Sequence, residues 1–266
     1  MKLGFIGGGN MAFAIAGGVI SGGLICAEDI TVNDTSESAL KKFEDLGMKT
    51  SCDIASLMGC DYIVLAVKPF IIPAILEKLR TEFSGQIKDT VFISIAAGIS
   101  VSFIKEKLGF DAKVVRIMPN TPALVGAGMS VIAKSDFPVT EAEFKNVTSI
   151  FDSVGKTEVM EEDMLNAVIA ISGSSPAYIF ILIEAMADAA VRDGIPRDTA
   201  YRLAAQSVLG SAKMVLETGK HPAQLKDMVC SPKGTTIDAV AELEANGFRN
   251  AVISAMKKCT DKANNI

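Results

Sequence analysis

Leu3-Gly4-Phe5-Ile6-Gly7-Gly8-Gly9-Asn10-Met11-Ala12-Phe13-Ala14 reads as a short apolar strand, a glycine turn and the start of a helix. Gly7, Gly9 and Ala12 stand at the spacing G-x-G-x-x-[G/A]. In that pattern the first residue makes the tight turn, the second lets backbone approach a pyrophosphate, and the third packs helix on strand. A phosphate then sits on the helix N-terminus. Glycine runs also occur in ordinary turns, so the weight of the motif lies in its context of strand before and helix after.

From Leu3 to Ala27 the chain is nearly free of charge and has to be weighed as a secretory leader. Only Lys2 precedes it, and three glycines and Asn10 break the apolar run, whereas leader cores are short unbroken apolar stretches. The most apolar later segment, Tyr178 to Ile183, lies between Gly173-Ser174-Ser175-Pro176 and Glu184, which suits a core helix better than a membrane span. The expectation is a soluble cytoplasmic protein that does not enter a membrane. With 266 residues the chain can form one large or two modest domains. Its 26 basic and 31 acidic residues give a net charge of -5 with no long basic run, which argues against nucleic-acid binding. Cys26, Cys52, Cys60, Cys230 and Cys259 are odd in number and lack C-x-x-C spacing, as expected of reduced thiols. His221 is the one histidine, so neither a metal site nor a Ser-His-Asp triad is expected.

The alternation of strand and helix continues along the chain. Ile30-Thr31-Val32-Asn33-Asp34 is a second strand, followed by helical spacing from Ser36 to Leu46. Asp34 lies 22 residues beyond Ala12, where an acidic side chain accepts hydrogen bonds from the adenosine ribose and repels a 2′-phosphate. Equally, Asp34, Thr35 and Ser36 have the chemistry of a helix cap. Tyr62 to Val67 is a continuous apolar run of the kind covered on both faces, and it ends in Lys68-Pro69. Val91 to Ile95 ends in Ala96-Ala97-Gly98, and Lys113 to Met118 ends in Pro119-Asn120-Thr121-Pro122. The carboxyl ends of parallel strands are where an open sheet binds a ligand. There Ala96, Ala97 and Gly98 can admit a flat nicotinamide ring, and Lys68 can reach ribose or phosphate; turn chemistry and a solvated charge are the plain alternatives. Met129 to Ala133 and Gly155 to Val159 are two further strands around a helix from Thr140 to Ser153.

From Glu161 onward only helical spacing remains, which puts a boundary near Met160 and two domains at 1–160 and 161–266. The helix through Tyr178, Ile179, Phe180, Ile181, Leu182 and Ile183 is apolar nearly all round and needs partners on every side, so this domain is expected to pack against a second copy. Cys230-Ser231-Pro232-Lys233-Gly234-Thr235-Thr236 sets hydroxyls and free N–H groups at a helix N-terminus, suited either to a small carboxylate or to simple capping.

Taken together, Gly4 to Met11, Ala66-Val67-Lys68-Pro69, Arg116 to Pro122, Ser172 to Tyr178 and Ser231 to Thr236 resemble, in order and over nearly the whole length, the pyrroline-5-carboxylate reductase family. The resemblance implies an α/β Rossmann-type dinucleotide-binding domain followed by an all-α dimerisation domain. It also implies an interlocked homodimer, assembled further in some members, with the substrate site completed at the interface. The implied reaction is hydride transfer from NAD(P)H to the C=N carbon of 1-pyrroline-5-carboxylate, yielding proline. By position, Ile6, Gly7, Gly8, Gly9, Asn10 and Met11 would cradle the pyrophosphate, Ala66, Val67, Lys68, Pro69 and Ala97 would line the cofactor, and Asn120 would lie near the nicotinamide ribose. Ser231, Gly234, Thr235 and Thr236 would hold the substrate carboxylate, with the catalytic Thr236 hydroxyl close to the ring nitrogen. A protonated imine is already electrophilic, so such a site needs positioning more than a strong acid.

Three positions depart from the family pattern. Ser175 and Lys233 stand where glycine is common, and Lys233 adds a positive charge near the expected carboxylate. Asp34 stands near where many members carry arginine or a small polar residue that accommodates a 2′-phosphate, so NADH is expected to serve at least as well as NADPH. A hydroxyacid dehydrogenase of similar plan typically carries a lysine on the long helix of its second domain, and none occurs between Lys156 and Lys213. A cofactor-binding sensor without turnover is the rival of another class, and the intact Ser231 to Thr236 segment speaks against it.

Overall fold

Tyr62 and Val64 bury their side chains on one face of a strand and Ile63 and Leu65 on the other. A strand without a polar face requires helices above and below it. The computed structural model describes residues 1–135 and 138–264. This strand is β4 (Tyr62–Leu65) in a sheet with β1 (Leu3–Ile6), β2 (Ile30–Asn33), β3 (Lys49–Ser51), β5 (Val91–Ser94), β6 (Lys113–Met118), β7 (Gly128–Ala133) and β8 (Gly155–Met160). The spatial order is β3-β2-β1-β4-β5-β6-β7-β8. All neighbours run parallel except β6 and β7, which are antiparallel.

One face packs on α1 (Asn10–Ser21), α2 (Glu37–Glu44) and α5 (Glu141–Asp152), through Ile15, Val19, Phe43, Ile150 and Phe151 against Phe5, Val32, Val64 and Ile93. The other packs on α3 (Ile72–Phe83) and α4 (Val101–Leu108), through Ile72, Leu76, Leu79, Ile104 and Leu108 against Ile6, Ile63, Leu65 and Phe92. Phe5, Phe92 and Phe151 are fully buried, and truncating any one to alanine would cost about 3–5 kcal/mol. The helix α5 starts with a reciprocal cap between Thr140 and Glu143. The edge strand β3 has no counterpart in the expectations above, because Lys49-Thr50-Ser51 carries no apolar alternation and exists through its pairing with β2.

The chain divides into two compact units, Ser175–Lys258 and the remainder. The expected boundary near Met160, between 1–160 and 161–266, therefore precedes the observed division by 14 residues. The reason is packing: in α6 (Leu165–Val168) Leu165 and Val168 are buried against Met118, Val131 and Ala133 of the sheet, so the helical signal begins before the sheet domain ends. A π-helical turn, Ile169–Gly173, follows.

The second unit contains α7 (Ser175–Arg192), α8 (Arg197–Thr218), α9 (Pro222–Val229), α10 (Thr235–Ala245) and most of α11 (Phe248–Ala263). α7 and α8 pack along each other, yet Ala187 is the buried residue of α7 and Ala200 and Ala204 those of α8. Phe180, Ile181, Leu209 and Leu216 are 60–84% exposed. By length and composition Glu162–Arg192 is long and apolar enough to cross a membrane, a property it shares with core helices of soluble proteins, because the apolar turns before Ser174 extend the run that begins at Tyr178. It bends at Ser174, and it carries Glu184 and Asp188, the latter paired with Arg197.

Candidate active site

Five strand ends converge on one cleft of about 460 Å³. Gly7, Gly9 and Met11 line it beyond β1, Asp34 beyond β2, Ala66 to Pro69 and Ile71 beyond β4, Ile95 to Ala97 beyond β5, and Pro119 beyond β6. This is the end of a parallel sheet where crossovers leave a crevice.

The glycine loop is shaped by contacts that exclude side chains. Gly7 has φ +105°, and a Cβ there would lie 2.7 Å from the Ala66 carbonyl oxygen, so only glycine fits. Gly9 is exposed, and a Cβ on it would meet nothing within 4 Å, which leaves bare backbone on the cleft. Gly9 also caps α1 without a side-chain hydrogen bond, and no acid occurs in the first turn. The first N–H groups of α1 are thus free to bind an anion, and the loop fits a dinucleotide pyrophosphate. Ile6 is buried in β1, Gly8 is buried behind the loop, and Asn10 is the exposed first residue of α1.

Asp34 combines both roles weighed for it. Its carboxylate accepts the Gly8 N–H at 2.7 Å and the Ser36 N–H at 2.9 Å, while the residue also lines the cleft. A carboxylate has about four acceptor positions, so lone pairs remain for ribose hydroxyls. The two lysines of α2 have partners of their own. Lys41 pairs with Glu44 and Asp45, and Lys42 lies 5.2–5.3 Å from the ring centres of Phe13 and Phe43. The first arginine in the chain is Arg80.

Asn120 directly follows Pro119 at the end of β6 and has its side-chain amide engaged within the protein. It is 8% exposed; its Oδ1 accepts the Met129 N–H at 2.8 Å and its Nδ2 donates to the Ser172 carbonyl at 3.0 Å. The cleft wall at this point is Pro119. Ile71 and Ile95 also line the cleft and were not singled out from the sequence; the signal was their place at the ends of apolar runs.

Ser231, Gly234, Thr235 and Thr236 lie in the second unit. The turn from Ser231 to Gly234 is closed by the Gly234 N–H on the Ser231 carbonyl at 3.0 Å. Pro232 and then Lys233 at φ +60° give it the type II pattern, which favours glycine in the place of Lys233. Lys233 is the one non-glycine residue with positive φ among the described residues. Gly234 caps α10 without a side-chain hydrogen bond, which leaves the N–H groups of Thr235 and Thr236 open; Ser231 and Thr235 are exposed and Thr236 half-buried. His221 caps α9, its Nδ1 accepting the Ala223 N–H at 3.2 Å, a purely local task. Among the described residues no group of three or more His, Cys, Asp or Glu side chains could hold a metal.

Residues 162–266 match the family model described as pyrroline-5-carboxylate reductase dimerisation, and residues 2–98 match that described as NADP oxidoreductase coenzyme F420-dependent. The chain is 47% identical to the pyrroline-5-carboxylate reductase of Escherichia coli (strain K12), over 98% of this chain and 97% of the other. It is similar to the solved pyrroline-5-carboxylate reductase of Coxiella burnetii, with TM-score 0.87 and 36% identity over 99% of this chain and 97% of that one. It is similar also to the Plasmodium falciparum pyrroline carboxylate reductase with NADP bound, with TM-score 0.88 and 32% identity over the same shares. Identity at this level over essentially the full length, on a chain that combines an NAD(P)-type cleft with a helical unit, places this protein in the pyrroline-5-carboxylate reductase family.

Proposed function

We propose that the chain reduces the C=N bond of 1-pyrroline-5-carboxylate to L-proline, the last step of proline biosynthesis, with NAD(P)H as reductant. The observation that carries this reading is the cleft at five strand ends, entered by the bare Gly9 backbone and the uncapped start of α1, in a chain with these relatives. When bound, the reduced nicotinamide supplies the hydride. The first turn of α1 holds the pyrophosphate, and Ala66, Val67, Lys68 and Pro69 flank the dinucleotide. Ala96 and Ala97, with only methyl side chains, let a flat ring approach backbone. Ser231, Thr235, Thr236 and the open N–H groups of α10 hold the substrate carboxylate, and the Thr236 hydroxyl sits beside the ring nitrogen. Their work is to keep the imine carbon at near-attack distance, an effect of orientation that needs no strong acid.

NADH serves at least as well as NADPH. The Asp34 carboxylate at the ribose end repels a 2′-phosphate, and Lys41 and Lys42, which could offset it, are occupied by Glu44, Asp45 and the two rings. The working form is a homodimer through the helical unit: α7 and α8 bury almost nothing within one chain, and residues 162–266 match a dimerisation model. Five cysteines without C-x-x-C spacing suit a reducing compartment, and from this we infer a cytoplasmic enzyme.

The test is the rate of reduced-cofactor oxidation on adding pyrroline-5-carboxylate to the purified protein, with NADH and NADPH in parallel. Substrate-dependent oxidation with proline as product is expected, with kcat/KM for NADH equal to or above that for NADPH. Binding of both cofactors without substrate-dependent oxidation would defeat the reading.

A further inference from the structure

We infer that Asn120 is a positioning residue for hydride transfer, acting on the cleft through Pro119 without touching the cofactor itself. This rests on the cofactor occupying the cleft described above. β6 and β7 pair as Ile117 with Ile132 and Met118 with Val131, so continuation of that register sets Asn120 opposite Met129. The backbone pairing with β7 ends at Met118 and Val131, one step short of Asn120 and Met129. The Asn120 side chain replaces the missing rung: its Oδ1 accepts the Met129 N–H at 2.8 Å. Its Nδ2 reaches the other way, to the Ser172 carbonyl at 3.0 Å, inside the π-helical turn Ile169–Gly173. In that turn hydrogen bonds run to the fifth residue, as from the Ser174 N–H to the Ile169 carbonyl at 2.7 Å, and the altered register leaves carbonyls in need of other donors.

One buried amide therefore fastens three pieces of backbone: the end of β6, the start of β7, and the turn after α6. The residue immediately before it, Pro119, just beyond β6, forms the cleft wall. Gly7, Gly9 and the first turn of α1, which take the pyrophosphate, belong to a different strand end. Loss of the Asn120 bonds should release the Pro119 wall while the dinucleotide anchor stays. Hydride transfer falls steeply with small errors of alignment, whereas dinucleotide affinity is dominated by the anchor.

The experiment compares wild type with Asn120→Ala and Asn120→Asp, the latter keeping an acceptor for Met129 and losing the donor toward Ser172. Three quantities are read: kcat, the Kd of NADH by fluorescence titration, and the primary isotope effect with NADH deuterated at the transferred position. Expected are a kcat at least tenfold lower for Asn120→Ala and severalfold lower for Asn120→Asp, Kd within threefold of wild type in both, and an enlarged isotope effect as the chemical step becomes limiting. If Asn120→Ala does not fold, Asn120→Asp decides alone. A kcat within twofold of wild type, an unchanged isotope effect, or a kcat that falls only in proportion to the folded fraction overturns the inference. A wild-type enzyme that fails to oxidise NADH with the substrate would instead defeat the functional reading on which it rests.

Discussion

The Asp34 carboxylate accepts the backbone N–H of Gly8 at 2.7 Å, so the residue that closes β2 also holds the glycine loop that closes β1. The same side chain thus fixes the shape of the phosphate loop and sets the charge at the ribose end of the cleft. These two functions are separable by substitution.

Asn in place of Asp34 removes the charge and keeps an oxygen for the Gly8 N–H, but turns its NH2 toward the Ser36 N–H. The expected result of Asp34→Asn is a rise of about tenfold in the NADPH:NADH ratio of kcat/KM, equivalent to about 1.4 kcal/mol, with a slightly lower melting temperature from the lost Ser36 bond. Parallel steady-state kinetics with both cofactors measure it. An unchanged ratio would show that the carboxylate serves the loop and not cofactor choice.

Gly7 and Gly9 make opposite predictions although they are two residues apart. Gly7→Ala forces a Cβ to 2.7 Å from the Ala66 carbonyl at a φ of +105°, and should destabilise the fold by about 2–3 kcal/mol. Gly9→Ala meets no protein atom within 4 Å, so thermal stability should stay as in wild type while KM for NADH and NADPH rises at least tenfold. Denaturation curves beside cofactor titrations separate the two. A Gly9→Ala enzyme with normal KM would mean that the pyrophosphate does not approach this backbone.

Lys233 holds a left-handed conformation in a turn that favours glycine, at a cost of about 1–2 kcal/mol for an L side chain. Glycine relieves the strain but loses more entropy on folding, so Lys233→Gly should stabilise by about 0.5–1 kcal/mol net. Urea unfolding at fixed protein concentration measures this, and a lower midpoint for the variant would contradict it.

Acid stability should depend on Glu143. Burial pushes its carboxyl up, but the hydrogen bond from Lys113 at 2.6 Å and those from the Thr140 N–H and hydroxyl at 2.8 and 2.9 Å outweigh that and leave it below the ordinary 4.5. A carboxyl lowered in the folded state contributes stability that is complete above 4.5 and is lost as pH falls through the folded value. Glu143→Gln should therefore cost about 1 kcal/mol at pH 7 and flatten the stability profile on the acid side. Chemical denaturation at pH 7 and through the acid range tests both parts; parallel profiles for the two proteins would exclude the mechanism.

Much of the first unit was legible from local pattern. The bounds Lys113–Met118 read from the sequence are those of β6, and the apolar run beginning at Tyr62 is a strand covered on both faces. The cleft residues Gly7, Gly9, Asp34, Lys68 and Ala97 were legible too, because each stands at the end of a strand whose periodicity announces it. β3 escaped because its pairing with β2 leaves no trace in three polar residues. Lys233 was legible as a departure from glycine, but its φ of +60° became evident only in the folded turn.

By itself the sequence determined the alternation of strands and helices, the glycine loop at the first crossover, and the five ordered blocks that carry the family resemblance, since these depend on neighbours a few residues apart. Only the tertiary structure decided that Asn120 bonds to Met129 and Ser172, that Asp34 supports Gly8, and that Leu165 and Val168 belong to the sheet's core. Polar side chains take whichever donors and acceptors burial brings within about 3 Å. Those partners lie 9 to 52 residues away in the chain, beyond the reach of any local pattern.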